Sequence, residues 1–206
     1  QLVTKDATIR EIHHRVKNNL QTVAALLRLQ SRRMSNSDAK DALKQAMGRV
    51  SAIAVVHEIL SQNFEEQVAF DEVADRILHM VGDVAASSGS VVARREGSFG
   101  EVPAETATAL SLATTELCQN AIEHSLDSSS GNVIVRPHRT DDALVVDIVS
   151  DGKPLPEGFS LDNHRSSLGL SIVTTLMQDL GGTFTLEDNS DRVGTCARLV
   201  IPLQRL

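Results

Sequence analysis

From Gln1 to Met34 the chain has neither Gly nor Pro, and apolar residues recur at Ile9, Ile12, Val16, Leu20, Val23 and Leu27. That three-and-four spacing predicts one face of an amphipathic helix. At about 100° per residue the six positions fall within roughly an 80° arc, so His14 points roughly 155° away from its middle, into water, and His13 sits on its rim. An exposed imidazole with no Cys or His three or four residues away is a poor zinc ligand, because zinc needs three or four converging donors. It is a good nucleophile toward phosphorus, since a neutral ring with a pKa near about 6.5 is largely free at neutral pH. Asn18, one turn on, shares the polar face with His14, Lys17 and Glu11. Taken alone, two adjacent surface histidines are more often just a solvated pair.

The stretch Ser35-Asn36-Ser37-Asp38 predicts a turn with a helix cap at its end, at Asp38. A second periodic segment follows through Leu43, Met47, Val50, Ala54 and His57, ending near Ser61. Two helices joined by a short turn form an antiparallel hairpin, and each has a stripe that one partner helix cannot fully cover. Two copies forming a four-helix bundle bury both stripes, which predicts a homodimer. His57 lies on the apolar stripe and reads as a core or rim histidine; His79, His138 and His164, without ligand-like neighbours, read the same way.

The pattern lapses from Phe64 to Phe70, dividing the chain into residues 1–63 and 68–206. Beyond it the pattern predicts a helix over 71–86, a strand over 90–95, a long helix from Pro103 to Leu126, and strands over 132–140 and 144–149. A Gly-, Pro- and Ser-rich loop then leads to a helix over 168–180 and strands over 183–187 and 195–202. Helices alternating irregularly with hairpin-linked strands indicate an α+β fold, helices layered on one face of a mixed sheet.

Composition narrows the function. There is no Trp or Tyr and there are only five Phe, so base stacking of single-stranded nucleic acid has little to work with. The net charge is −7, yet residues 1–34 carry seven Lys or Arg against two acids, placing positive charge around His14. Cys118 and Cys196 each lie in apolar-patterned segments and read as reduced, buried thiols of a cytoplasmic protein. No apolar run is long enough to span a membrane and no signal peptide is recognisable.

The run Glu11-Ile12-His13-His14-Arg15-Val16-Lys17-Asn18-Asn19-Leu20-Gln21 resembles the phospho-acceptor box of bacterial two-component sensor histidine kinases, most closely the HWE-like and PdtaS-type branch. The resemblance extends over nearly the whole chain. Glu116-Leu117-Cys118-Gln119-Asn120-Ala121-Ile122-Glu123-His124 is similar to the N box of the family's ATPase domain, which implies Asn120 as a magnesium ligand, Glu116 as the acid positioning metal or water, and His124 near the phosphates. Ser150-Asp151-Gly152-Lys153-Pro154 occupies the adenine-binding box, whose pattern is Asp, any residue, Gly, any residue, Gly. Ser150 and Pro154 depart from it. Either Asp151 takes over recognition of the adenine amino group, or Ser150 does so through water and binding weakens; Gly152, lacking Cβ, lets the base approach the backbone. Ser167-Leu168-Gly169-Leu170 looks like the second glycine box, opening a helix whose N–H groups can face phosphates. Asn163, His164 and Arg165 lie where a nucleotide lid would reach the triphosphate, and Gly181-Gly182 and Gly194-Thr195 match the closing turn and last glycine box.

The resemblance implies a dimerising helical hairpin followed by a two-layer α/β sandwich of the histidine-kinase ATPase (Bergerat) type. It implies an ATP-dependent protein histidine kinase using Mg²⁺, with His14 as acceptor, and transfer to an aspartate of a response-regulator receiver domain. Many such kinases carry an acid directly after the acceptor; Arg15 stands there, so Glu11 is the candidate for orienting the imidazole. Asn18 sits where an amide orients water for dephosphorylating the partner. If His13 were the acceptor, Lys17 would occupy that position. A sensor domain is expected upstream. The rival reading is a catalytically inactive dimeric scaffold that docks a response regulator, motivated by Ser150 and Pro154; direct nucleic-acid binding has the least support.

Overall fold

The protein is described by a computed structural model covering residues 2–62, 67–86, 89–126, 130–163 and 167–203. The chain divides into two compact units, residues 1–69 with 101–112, and residues 70–100 with 113–206.

In the first unit, α1 (Leu2–Arg33) and α2 (Ser37–Gln62) pack along each other as a hairpin. The turn uses a different cap from the one expected: Asn36 Oδ1 accepts the Asp38 and Ala39 backbone N–H groups at 2.9 and 3.4 Å, so α2 starts at Ser37. On α2 the buried positions Ala52, Val55, Val56, Ile59 and Leu60 hold the hairpin core. The α1 stripe is covered unevenly. Ile9, Ile12 and Val23 remain 46%, 53% and 42% exposed, and Leu26 and Leu29 more than half, leaving a row of large apolar side chains facing water. Two three-residue strands, β1 (Gln67–Ala69), within the stretch expected to be a linker, and β3 (Glu101–Pro103), pair antiparallel. Strands this short carry too few alternations to register as a period.

In the second unit, α3 (Phe70–Ala86) precedes β2 (Val91–Arg95), and β4 (Gly131–Arg139), β5 (Ala143–Ser150), β6 (Thr183–Asp188) and β7 (Thr195–Pro202) complete a mixed sheet in the order β2-β4-β5-β7-β6. Only the β2–β4 pair is parallel. Alternation along β5 and β7 turns Leu144, Val146, Ile148 and Ser150, and opposite them Thr195, Ala197, Leu199 and Ile201, into the buried layer. Helices α3 and α5 (Leu168–Asp179) pack on this sheet.

The long helix does not run unbroken to Leu126. α4 (Ala104–Asn120) gives way to a π-helical turn, Ala121–Ser125, closed by the Leu126 N–H on the Ala121 carbonyl at 2.9 Å. Such wide turns interrupt the four-residue stripe expected through Glu116, Asn120 and His124, and they recur at functional sites. His79 and His138 face water rather than a core, His79 lying 3.3 Å from Asp83. Cys118 is fully buried, which pushes its thiol up to about 12, whereas Cys196 is only partly covered; neither is in a disulfide. No described helix is long and apolar enough to cross a membrane.

Candidate functional site

The two neighbouring histidines of α1 take different environments because they fall on different sides of the helix. His13 is half-buried and its Nδ1 lies 2.9 Å from Nδ1 of His57 on α2, with the rings 5.1 Å apart. Burial holds both rings below their ordinary pKa, and for His57 repulsion from His13 adds to it. A single N–H shared between two neutral rings satisfies this contact. His14 is exposed, and among the described residues its one hydrogen-bond partner is the side-chain amide of Asn18, 3.3 Å from Nδ1.

The charges around it are committed in pairs. Glu11, expected to orient the imidazole, instead accepts from Arg15 Nε at 2.8 Å, and this hydrogen bond with the guanidinium's charge holds its carboxyl below the usual range. Lys17 turns to Glu58 on α2, 3.7 Å away, beside the His13–His57 pair.

In the second unit the predicted residues separate into three groups. Ser150 is fully buried, with its Oγ 2.6 Å from Ser125 Oγ and 2.9 Å from Thr195 Oγ1. Ser125, at the end of the π-helical turn, donates to the Lys153 carbonyl at 3.0 Å, and the Lys153 N–H returns to the Ser125 carbonyl at 2.7 Å. Two glycines permit this closeness. A Cβ on Gly152 would overlap the Ser125 carbonyl, and one on Gly194, which has φ +129°, would overlap the Ser150 carbonyl. The space beside Gly152 is therefore filled by the Ser125 backbone rather than left open to a base, a different reason for that glycine from the one expected.

Asp151 does not join this group. Its two carboxylate oxygens accept the Asn132 backbone N–H and side-chain amide, each at 2.7 Å. Burial raises its carboxyl, but these bonds and its own backbone N–H outweigh that and hold it below the usual range. Both oxygens of Asp151 are thus engaged by Asn132 rather than by the Ser150 hydroxyl group.

The third group lies along α4 and the start of α5. Glu116 is buried with its carboxylate against the first turn of α5, so close that a Cβ on Gly169 would overlap it. Asn120 is half-buried one turn on, and His124 is exposed in the π-helical turn. Ser167 caps α5 by accepting the Leu170 N–H at 3.3 Å; Leu168 is 67% exposed and Leu170 is in the core. A cavity of about 200 Å³ lies beside α5, lined by Leu161, Leu170, Ser171, Thr174 and Thr175, and it excludes Asn120, Ser150 and Thr195. Asn163 is exposed, and His164 and Arg165 lie outside the described residues. Among the described residues no three His, Cys, Asp or Glu side chains converge to hold a metal. The donors Asn120 and Glu116 still suit magnesium, which takes few protein oxygens and completes its octahedron with phosphate and water.

A family model described as histidine kinase matches residues 11–85, and one described as histidine kinase-, DNA gyrase B- and HSP90-like ATPase matches residues 105–205. The chain is 50% identical over 207 residues to the sensor histidine kinase PdtaS of Mycobacterium tuberculosis, and 48% identical to that of Mycolicibacterium smegmatis. The chain belongs to the sensor histidine kinases. Each of these matches covers 99% of the chain and 41% of the relative, so the chain spans less than half the length of these kinases. The fold agrees with the histidine kinase domain of the blue-light-activated kinase EL346 of Erythrobacter litoralis: TM-score 0.66 at 24% identity, over 98% of this chain and 94% of that one.

Three residues of this histidine kinase escaped sequence reading. His57 lies on the apolar stripe of α2, and its contact with His13 spans 44 residues. Ser125 follows directly on the N box, but its hydroxyl partner lies 25 residues away, and Asn132 meets Asp151 across 19. No short-range pattern encodes such contacts.

Proposed function

We propose that this chain is the kinase core of a two-component sensor: it autophosphorylates His14 from Mg·ATP held by the second unit and passes the phosphoryl group to an aspartate of a response-regulator receiver domain. The observation that carries this reading is the division of labour between the two histidines, His13 tied to α2 and His14 standing in solvent with Asn18 alone. Phosphoryl transfer asks mainly for in-line positioning and charge neutralisation, so an accessible ring nitrogen suffices as acceptor. The Asn18 Nδ2 amide donates to Nδ1 at 3.3 Å, which orients the ring and leaves Nε2 as the nitrogen that attacks, its proton passing to solvent as the bond to phosphorus forms. Magnesium, when bound through Asn120 with Glu116 nearby, would supply charge neutralisation on the phosphates.

In this reading residues 1–63 form the dimerisation and phosphotransfer domain and residues 68–206 the ATP-binding domain, working in the cytoplasm below a sensor domain. A second copy is the natural cover for Ile9, Ile12, Val23, Leu26 and Leu29. Incubation with γ-labelled ATP and magnesium should give acid-labile, alkali-stable label that disappears in His14→Gln; label that survives this change and is lost in His13→Gln would move the acceptor to His13.

One observation favours the rival reading of an inactive scaffold that docks a receiver domain. Ser150, where the family's adenine-binding box carries a carboxylate, is fully buried among hydroxyls, and the neighbouring Asp151 is hydrogen-bonded to Asn132. Absence of both label and nucleotide binding by calorimetry would select the scaffold.

A further inference from the structure

The hydroxyl group at the ends of β5 and β7 has a direction that can be worked out by counting protons. The Lys153 carbonyl can only accept, so the single proton of Ser125 goes to it. Ser125 Oγ must then accept from Ser150 at 2.6 Å, and Ser150 Oγ, its proton used, must accept from Thr195 at 2.9 Å. The chain therefore runs Thr195 to Ser150 to Ser125 to the Lys153 carbonyl, and Thr195 is its free end. Ser150 has no exposed surface, whereas Thr195 keeps 7%.

We propose that this site, on the kinase reading above, takes purine nucleoside triphosphates without distinguishing an amino from a keto edge, and that the Ser150–Thr195 pair sets this tolerance. A carboxylate at the end of β5 could only accept, and would demand the amino group of adenine while repelling the keto oxygen of guanine. A hydroxyl chain has no fixed sign. Thr195 can keep its proton on Ser150 and offer a lone pair to an amino group, or rotate and donate to a keto oxygen. Asp151, the adjacent carboxylate, is hydrogen-bonded to Asn132 and takes no part in this hydroxyl group.

The test is calorimetric titration of the whole chain with Mg·ATP and with Mg·GTP, for the wild type and for Ser150→Asp. The wild type should bind the two within about tenfold of each other, and Ser150→Asp should favour ATP by about a hundredfold, since a fixed acceptor leaves guanine unpaired. A wild-type preference for ATP above tenfold overturns the proposal while leaving the kinase reading intact. Binding of ATP by Ser150→Asp but of neither nucleotide by the wild type also overturns it, because the hydroxyls then close the site. Binding by neither protein removes the nucleotide reading and the proposal together. The wild-type comparison needs no variant to fold, and a thermal melt of Ser150→Asp establishes that its own result refers to folded protein.

Discussion

His14 and Ser150 are supported in opposite ways. The imidazole stands in water on a long helix, its one hydrogen-bond partner among the described residues lying four residues away on the same helix. The hydroxyl lies fully buried at a strand end, with partners 25 and 45 residues distant and two glycines that let three backbone segments close around it. On the helix, the proposed acceptor is a group that packing does not need. At the strand end the same atoms hold the fold together and form the candidate site, so function and stability cannot be separated there.

The sharpest way to break this contrast is at His14. His14→Gln should reduce labelling from γ-labelled ATP by about a thousandfold or more, because the change removes the proposed acceptor nitrogen. It should leave unfolding free energy within about 0.5 kcal/mol of wild type, since the site is exposed and Gln is a good helix former. Denaturant unfolding followed beside the labelling assay checks both halves; a large stability loss would mean the helix surface is not as independent as its geometry indicates.

Gly194→Ala probes the opposite case. The new Cβ meets the Ser150 carbonyl at a φ that side-chain-bearing residues rarely adopt, so a loss of about 3 kcal/mol is expected. Nucleotide binding should fall with it, measured by calorimetry at a temperature where the variant remains folded. Ser125→Ala is gentler. It removes the donor to the Lys153 carbonyl and the acceptor of the Ser150 proton at once, expected to cost about 2 kcal/mol in a buried setting, read as a lower denaturant midpoint with unchanged slope. A neutral result would mean that water replaces both bonds.

The same contrast explains what could be read from residues alone. The hairpin, the exposure of His14 and the amphipathic strands follow from periodicities that act over one or two turns or a few alternations, and those are written locally. The π-helical turn after Asn120, the three-residue β1 and β3, and the capture of Asp151 by Asn132 depend on what arrives from elsewhere in the chain. Glu11 was assigned to His14 because it lies on the same face, three residues earlier; Arg15, four residues after Glu11, offers a full charge and takes it instead. The pairing of Ser150 with Thr195 was half visible, since both strands were legible, but the register that puts them opposite each other needs the whole sheet.

The smallest effect concerns the half-buried neighbour of the proposed acceptor. His13 and His57 both titrate below their ordinary value in the folded chain, because burial disfavours the charged ring and, for His57, the neighbouring ring adds repulsion. The unfolded chain, with histidines near about 6.5, therefore binds more protons as pH falls, and the pair's contribution to stability is complete above that value and is lost as pH drops toward and through the lowered folded values. One proton can be accommodated, since a charged ring still has an N–H for its partner's lone pair; two protons leave donors facing each other at a 2.9 Å contact. The interval between pH 7.5 and 5.5 lies above the ordinary carboxylate range, so histidines dominate the change there. Melts of the helical signal across that interval should lower Tm by about 2 °C, with the slope flattened in His57→Leu. An equal pH slope in that variant would assign the effect to other groups and leave the His13–His57 contact without a role in hairpin stability.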